Sequence, residues 1–279
     1  MVRATLAELL PTVIDSDLGW WLGGGTVLAA QWEHRLSTDL DIFLPAEASL
    51  TTFDPRWAPD FRDAMLGLGA TRMEVQQRSV KTWFPAGRLE ITALDPVPAL
   101  PPRAARIDGS DARLLENASI LCGKLYGRGR RMPERDVFDV CVAATEDPDA
   151  LRCAVNHVGP DTRREIAHLL AIGADMYRES APEVILEPAP RFADLLEEAP
   201  ERAAELIRDE TWASTDFDYA LEGAVTVTAR TVGGTVVSRT CRSGQALAAA
   251  MLGMGLEEMM LGPYGTMRAF VQEVDTRLR

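Results

Sequence analysis

No run in this 279-residue chain reaches the ~18 consecutive apolar residues that a membrane-spanning helix requires. The N-terminus also lacks the basic stretch and apolar core of a secretion signal, so a cytoplasmic location with no membrane partner is expected. Cysteine is sparse. Cys122, Cys141, Cys153 and Cys241 are scattered with no Cys-x-x-Cys pair, which argues against a disulfide framework or a zinc site and for free thiols in a reducing compartment. The three histidines, His34, His157 and His168, have no metal-ligand spacing either. The run Gly23-Gly24-Gly25 opens no Gly-x-Gly-x-x-Gly helix, so a dinucleotide fingerprint is missing. Internal repeats and low-complexity tracts are absent as well.

Positive charge is the other shortage: 29 Lys and Arg face 42 Asp and Glu, a net charge of −13. The deficit is uneven, with residues 1–140 summing to −3 and residues 141–279 to −10. The acidic second half is a poor generic surface for nucleic acid, while the first half is nearly neutral. With 47% hydrophobic and 25% charged residues, the composition is that of an ordinary globular protein long enough for a full core.

Strand and helix patterns mix through the first hundred residues. Leu6, Leu9, Leu10, Val13 and Ile14 have helical spacing, residues 18–22 read as a strand end, and residues 26–34 have helical character. A buried strand is expected over 39–44, a helix over 53–68, strand alternation over 72–80 continuing to 84, and a strand over 88–94 after the turn Pro85-Ala86-Gly87. This predicts a small α/β (α+β) domain with a twisted mixed sheet. The proline-rich segment 95–102 marks a boundary. Beyond it, Asp108 or Ser110 can cap a helix running to about Gly127, and further helices are expected from Glu134, over 161–180 and over 193–208. The acidic, proline-spaced tract 183–200 reads as a surface connection, and Gly233-Gly234 joins two strands of a hairpin over 224–241. Three regions result: 1–105, 106–180 and 181–279. Two helical stretches should close the chain, with Met251, Met254, Met259 and Met260 as packing residues.

The most informative motif is Asp39-Leu40-Asp41, which follows the glycines of Trp21-Leu22-Gly23-Gly24-Gly25-Thr26. Residues i and i+2 of a strand share a face, so both carboxylates point one way while Leu40 and Ile42 point into the core. Two such carboxylates repel unless a cation sits between them, and hard oxygen ligands suit Mg²⁺. A glycine turn just upstream lets backbone approach a phosphate. Together they read as a metal–nucleotide site.

Glu90, an acid between apolar neighbours on a predicted strand, has two readings: a third metal ligand, or an exposed position on an edge strand. Further on, Lys124 and Arg128 are i and i+4 on one helix face, and Asp136 and Asp139 are i and i+3 on another. A solvated charged helix would carry the same letters. His34 reads as a surface or helix-end histidine. Trp20, Trp21, Trp32 and Trp83 read as core, with a nucleobase-stacking surface as the second reading for Trp83.

Gly24-Gly25-Thr26, Arg35-x-Ser37-x-Asp39-x-Asp41, Gly123-Lys124-Leu125 and Arg135-Asp136-x-x-Asp139 together resemble the AbiEii (MenT-like) nucleotidyltransferase toxins of the DNA polymerase beta nucleotidyltransferase superfamily. The resemblance covers roughly residues 18–145 in order and spacing. It implies a polymerase-beta-like core in 1–105, a helical region in 106–180 that completes the active site, and a mostly helical C-terminal region with one hairpin and no recognised role. It further implies transfer of a nucleoside monophosphate from an NTP to an acceptor, with release of pyrophosphate and Mg²⁺ (or Mn²⁺) as cofactor. On that reading Asp39 and Asp41 hold metal, joined by Glu90 if its strand lies alongside. Gly24, Gly25, Thr26 and Ser37 bind phosphate oxygens, and Arg35 either binds phosphate or pairs with Asp39. Lys124 neutralises the triphosphate with Arg128 assisting, Asp139 orients Lys124 or the nucleotide, and Asp136 is a helix N-terminal acid. The family implies tRNA as acceptor and a cognate antitoxin. The overall acidity keeps a cationic small molecule or a protein side chain open as acceptor, and a non-catalytic nucleotide-binding module is the reading from another class.

Overall fold

A computed structural model describes residues 19–107, 110–128, 131–220 and 223–256, together with positions 269, 271, 272, 274 and 276. The expected first helix, the Asp108 cap, Met259 and Met260 lie outside these residues. The chain divides into two compact units: Met1–Glu116 with Leu186–Ala189, and Asn117–Ile185 with Pro190–Arg279.

The first unit is built on a seven-stranded mixed sheet. Its strands are β1 (Trp21–Gly23), β2 (Leu40–Leu44), β3 (Arg72–Val75), β4 (Ser79–Phe84), β5 (Gly87–Ala93), β6 (Arg103–Ile107) and β7 (Ser110–Leu114), in the order β3-β4-β5-β2-β1-β7-β6. Pairs β2–β5 and β1–β7 are parallel, and the other neighbours are antiparallel. Alternation drives the central strands: Leu40, Ile42 and Leu44 are buried on β2, and Leu89, Ile91 and Ala93 on β5. Leu40 faces Leu89 and Ile42 faces Ile91 across the parallel pair. Each such side chain contributes roughly 1.5–3 kcal/mol when fully buried. Helix α1 (Gly24–Trp32) follows β1 without a loop, and α2 (Pro59–Gly67) packs Phe61 edge-on against Phe53 at 5.7 Å.

Several sequence expectations shift here. The strand expected over 72–80 is interrupted by a turn at 76–78, where Gln76 N–H donates to the Ser79 carbonyl and β3 folds back on β4. The helix expected over 53–68 splits into a short 3-10 turn, Leu50–Phe53, and α2, because Pro55 and Pro59 remove backbone donors and Pro59 suits a helix start. Ser110 caps no helix. It opens β7, which pairs with β6 as a hairpin at the edge of the sheet. His34 follows the helix end as expected but is fully buried, its ring tilted against Trp32 at 5.6 Å. Leu186 and Ala189 hydrogen-bond the chain at Leu36 and His34, so that part of the acidic tract is anchored backbone rather than a free connection.

The second unit holds helices α3 (Asn117–Arg128), α4 (Glu134–Glu146), α5 (Pro148–His157), α6 (Pro160–Ile172), α7 (Ala174–Val184) and α8 (Leu195–Asp209). The helix expected over 161–180 is broken at Gly173. Helix α4 is buried from Asp136 to Ala143, and α5 is capped by Asp147, whose carboxylate accepts from the Ala150 N–H and the Asn117 amide. The expected hairpin is present as β9 (Ala224–Thr231) and β10 (Val236–Cys241), and it gains a third strand, β8 (Trp212–Ala220). One face of this sheet closes on α9 (Gly244–Met254) around Trp212, Val225, Val227, Val237, Leu247 and Met251. The other carries hydroxyl pairs, Thr226 with Thr240 and Thr228 with Ser238, each at 2.9 Å. Among the described residues no helix is long and apolar enough to cross a membrane.

Candidate active site

In the first unit, β1 runs straight into α1 through Gly23 and Gly24. Gly24 sits at φ 72°, and an ideal β-carbon there would fall 1.8 Å from Oδ2 of Asp41. The register explains this, because Gly23 is paired with Asp41 across β1 and β2. A β-carbon on Gly23 would in turn meet the Phe43 ring at 2.7 Å and Leu115 at 2.8 Å. The two glycines therefore form a cradle that only a bare backbone can supply, and the Asp41 carboxylate fills it. The N-cap of α1 has no side-chain cap and its first turn no acid, and the Asp41 carboxylate lies against the helix's positive end at Gly24.

Asp39 lies one residue before β2 rather than inside it, with its side chain 20% exposed. Its backbone carbonyl accepts a hydrogen bond from the Thr26 hydroxyl, which also lies 2.8 Å from the Ser37 hydroxyl. Thr26, Ser37 and Asp39 are thus tied together beside the glycine turn. Arg35 is buried at 7% exposure and donates to the Leu36 carbonyl at 3.3 Å.

The parallel pairing of β2 with β5 places Glu90 directly across from Asp41. Its carboxylate, however, is engaged by cations: Lys81 at 3.5 Å and Arg88 at 3.4 Å. Arg88 also reaches Oδ2 of Asp39 at 3.4 Å. Among the described residues no group of three or more His, Cys, Asp or Glu is arranged to hold a metal ion. The donor chemistry suits a hard divalent cation: Asp41 and Glu90 face each other across β2 and β5, and Asp39, just before β2, shares Arg88 with Glu90. On the neighbouring strands Arg72 lies over the Trp83 ring at 4.6 Å, so Trp83 carries a cation on its face.

In the second unit, Lys124 is 6% exposed and its ammonium meets two acids, Asp136 and, at 3.0 Å, Asp139. Arg128, half exposed, takes the other Asp136 oxygen at 3.2 Å. Lys124 and Arg128 on α3 thus meet Asp136 and Asp139 on α4. Burial pushes the Lys124 ammonium pKa down, but the Asp139 and Asp136 carboxylates together outweigh it and hold it above its ordinary value. The chain has just two lysines, Lys81 and Lys124, against 27 arginines, and both lie against carboxylates singled out by the motifs. Arg88 was missed in the sequence. The signal was there in strand alternation, two positions before Glu90 on the same face.

Residues 9–222 match the family described as the nucleotidyl transferase AbiEii toxin of type IV toxin–antitoxin systems. Among solved structures, JHP933 from Helicobacter pylori is similar at 18% identity and TM-score 0.44, covering 74% of this chain and 87% of that one. An antigenic nucleotidyltransferase-like protein from Paracoccidioides brasiliensis is similar at 14% identity and TM-score 0.37, covering 66% of this chain and 92% of that one. None of the curated proteins matches the chain.

Proposed function

The chain belongs to the AbiEii family of nucleotidyltransferase toxins, and from that membership we propose how its own residues carry the transfer and to what acceptor. A nucleotidyltransferase of a type IV system has a nucleotide substrate and a cognate antitoxin. The acceptor is tRNA, the place of action the cytoplasm, and the reaction joins an acceptor oxygen to the α-phosphorus of an NTP as the bond to pyrophosphate breaks. A divalent cation, Mg²⁺ or Mn²⁺, would supply the positive charge that the triphosphate needs in the transition state.

The observation that carries this reading is the fit of the Asp41 carboxylate into the space that a β-carbon on Gly24 would occupy. Asp39 and Asp41 are the metal ligands, with Glu90 as the third acid opposite Asp41. Gly24, Gly25 and Thr26 offer first-turn N–H groups to phosphate oxygens, and the Ser37 hydroxyl, whose proton goes to Thr26 while Thr26 donates to the Asp39 carbonyl, turns to a phosphate oxygen when one is bound. Arg35 is a phosphate ligand or a support for the Asp39 loop. In the second unit Lys124 is the cation of the second family motif, held by Asp139 and Asp136, with Arg128 as its assistant. Water exclusion and metal coordination by oxygen donors would make these charges effective.

A second reading keeps the chemistry and replaces tRNA by a cationic small molecule or a protein side chain, and the net charge of −13 favours it. One assay separates them. Wild-type protein and Asp41→Ala are incubated with each labelled NTP, Mg²⁺ and total tRNA. Label on tRNA with wild type alone supports the proposal. Label on a small molecule or protein of a lysate, and none on tRNA, supports the second reading. No label together with no metal-dependent NTP binding overturns both.

A further inference from the structure

Arg88 is the residue of the first unit that the family motifs leave out and the geometry does not. Arg88 and Asp39 each precede the first pair of the β2–β5 register, Leu89 with Leu40, and Nη2 of Arg88 serves two acids, Oδ2 of Asp39 and Oε2 of Glu90, each at 3.4 Å. A guanidinium has five donors in a rigid fork that matches one carboxylate with two short bonds. Here it makes neither short bond nor fork. Its Nε is buried and has no hydrogen-bond partner among the described residues. Glu90 has a second cation, Lys81 at 3.5 Å, on the side away from β2.

As a structural ion pair, a monodentate contact at 3.4 Å and 16–26% side-chain exposure would contribute on the order of 1 kcal/mol or less. The stretched, two-way contact instead marks a counter-charge placed between acids that would otherwise repel. Building on the metal reading given above, we infer that Arg88 is an exchangeable counter-ion. It holds Asp39 and Glu90 while no divalent cation is bound, competes with that cation for Asp39, and turns to the polyphosphate of the incoming nucleotide when the acids are taken. Arg88 is thus a positioning residue that couples metal entry to nucleotide binding.

The test is a Mn²⁺ titration by electron paramagnetic resonance, with and without a non-hydrolysable NTP analogue. Wild type, Arg88→Gln, Arg88→Met, Arg88→Lys and Asp41→Asn are compared, each checked for folding by circular dichroism. The glutamine and methionine variants should bind Mn²⁺ without nucleotide roughly three- to tenfold more tightly than wild type, since one competing charge is gone. The lysine variant should stay near wild type. The analogue should tighten Mn²⁺ binding to wild type more than to the two neutral variants. Equal or weaker Mn²⁺ binding by both neutral variants, with Asp41→Asn still abolishing it, overturns the inference and leaves the metal reading intact. No Mn²⁺ binding by wild type overturns the metal reading and this inference with it.

Discussion

Gly24 and Asp41 occupy each other's space: the carboxylate of one takes the place that a side chain on the other would need, with Oδ2 1.8 Å from the ideal β-carbon position. Gly24→Ala therefore meets two obstacles. A side chain at φ 72° strains the backbone by about 1–3 kcal/mol, and its β-carbon must displace the carboxylate. An ångström of misplacement at a reacting centre costs on the order of a hundredfold in rate. Gly24→Ala should lose nucleotide transfer by at least about that factor while remaining folded. Rate measurement beside a thermal melt checks this, and near-normal activity would refute the role given to Asp41.

Lys124 answers to a different balance. Removing its charge by Lys124→Met leaves Asp136 and Asp139 in a buried site without the ammonium that meets both. Breaking a buried ion pair from one side destabilises by roughly 3–5 kcal/mol. Adding Asp139→Asn to Lys124→Met should restore part of the loss, giving a coupling of about 0.5–3 kcal/mol in urea unfolding. Lys124 has a raised pKa, so its contribution is complete below the ordinary lysine range near 10.5 and is lost only as pH climbs through the higher folded value. With two lysines in the chain, ¹⁵N-lysine NMR can follow that titration directly.

Much of the first unit was legible in the sequence because its signals are local. Alternation around Leu40, Ile42, Leu89 and Ile91 gave the central strands, and the glycines announced the turn. The fold-back at 76–78 was not legible, because Gln76, Gln77 and Arg78 carry no glycine or proline to mark a turn. Strands β6 and β7 were hidden by the prolines before them and by the alanine and arginine content of Arg103–Ile107, which reads equally well as helix. Strand β8 was missed for another reason: Phe217 alternates with Asp216 and Asp218, but aspartate is depleted in strands and a register shift between Trp212 and Ser214 breaks the phase with Trp212. At the site, residue identity pointed to the acids and to Lys124. That Lys124 is sealed between Asp136 and Asp139, and that Glu90 faces two cations, depends on pairing that spacing along the chain does not encode.

The buried thiols set an alkaline limit on stability. Burial pushes Cys122, Cys141 and Cys153 up to about 12 from an ordinary value of 9.0. In the unfolded chain these thiols ionise near 9, while the folded protein keeps them protonated until about 12. A folded state that binds more protons loses stability as pH rises, so the loss begins near pH 9 and continues towards 12, with little effect below pH 8. Each thiol contributes up to about 1.4 kcal/mol per pH unit within that window. Urea unfolding under reducing conditions at pH 8, 9 and 10 should show the midpoint falling only over the later steps. An unchanged midpoint across the series would show that these thiols are not shielded as described.

Asn156 fastens the start of the three-stranded sheet to α5, and nothing in its sequence neighbourhood announces it. Its amide nitrogen donates to the carbonyls of Arg152 at 2.8 Å and Glu210 at 2.9 Å, and its oxygen accepts the Trp212 N–H at 2.8 Å. Trp212 is then locked from the other side by its indole N–H, which donates to the Met254 carbonyl at 2.7 Å. Asn156→Ala would leave the Trp212 N–H and the Glu210 carbonyl without this partner in a site that is 6% exposed at Asn156. A buried polar group left unsatisfied costs about 1–3 kcal/mol, so a loss of roughly 3 kcal/mol is expected from the two together. Asn156→Asp keeps the acceptor for Trp212 but turns the donor into a second acceptor facing two carbonyls, and it should be at least as destabilising. Hydrogen exchange at the Trp212 amide is the sharper readout, because it should rise in both variants but more in Asn156→Ala, where the acceptor is gone. If Asn156→Ala changed neither stability nor that exchange rate, the hydrogen bonds around Asn156 would not be what holds β8 in place.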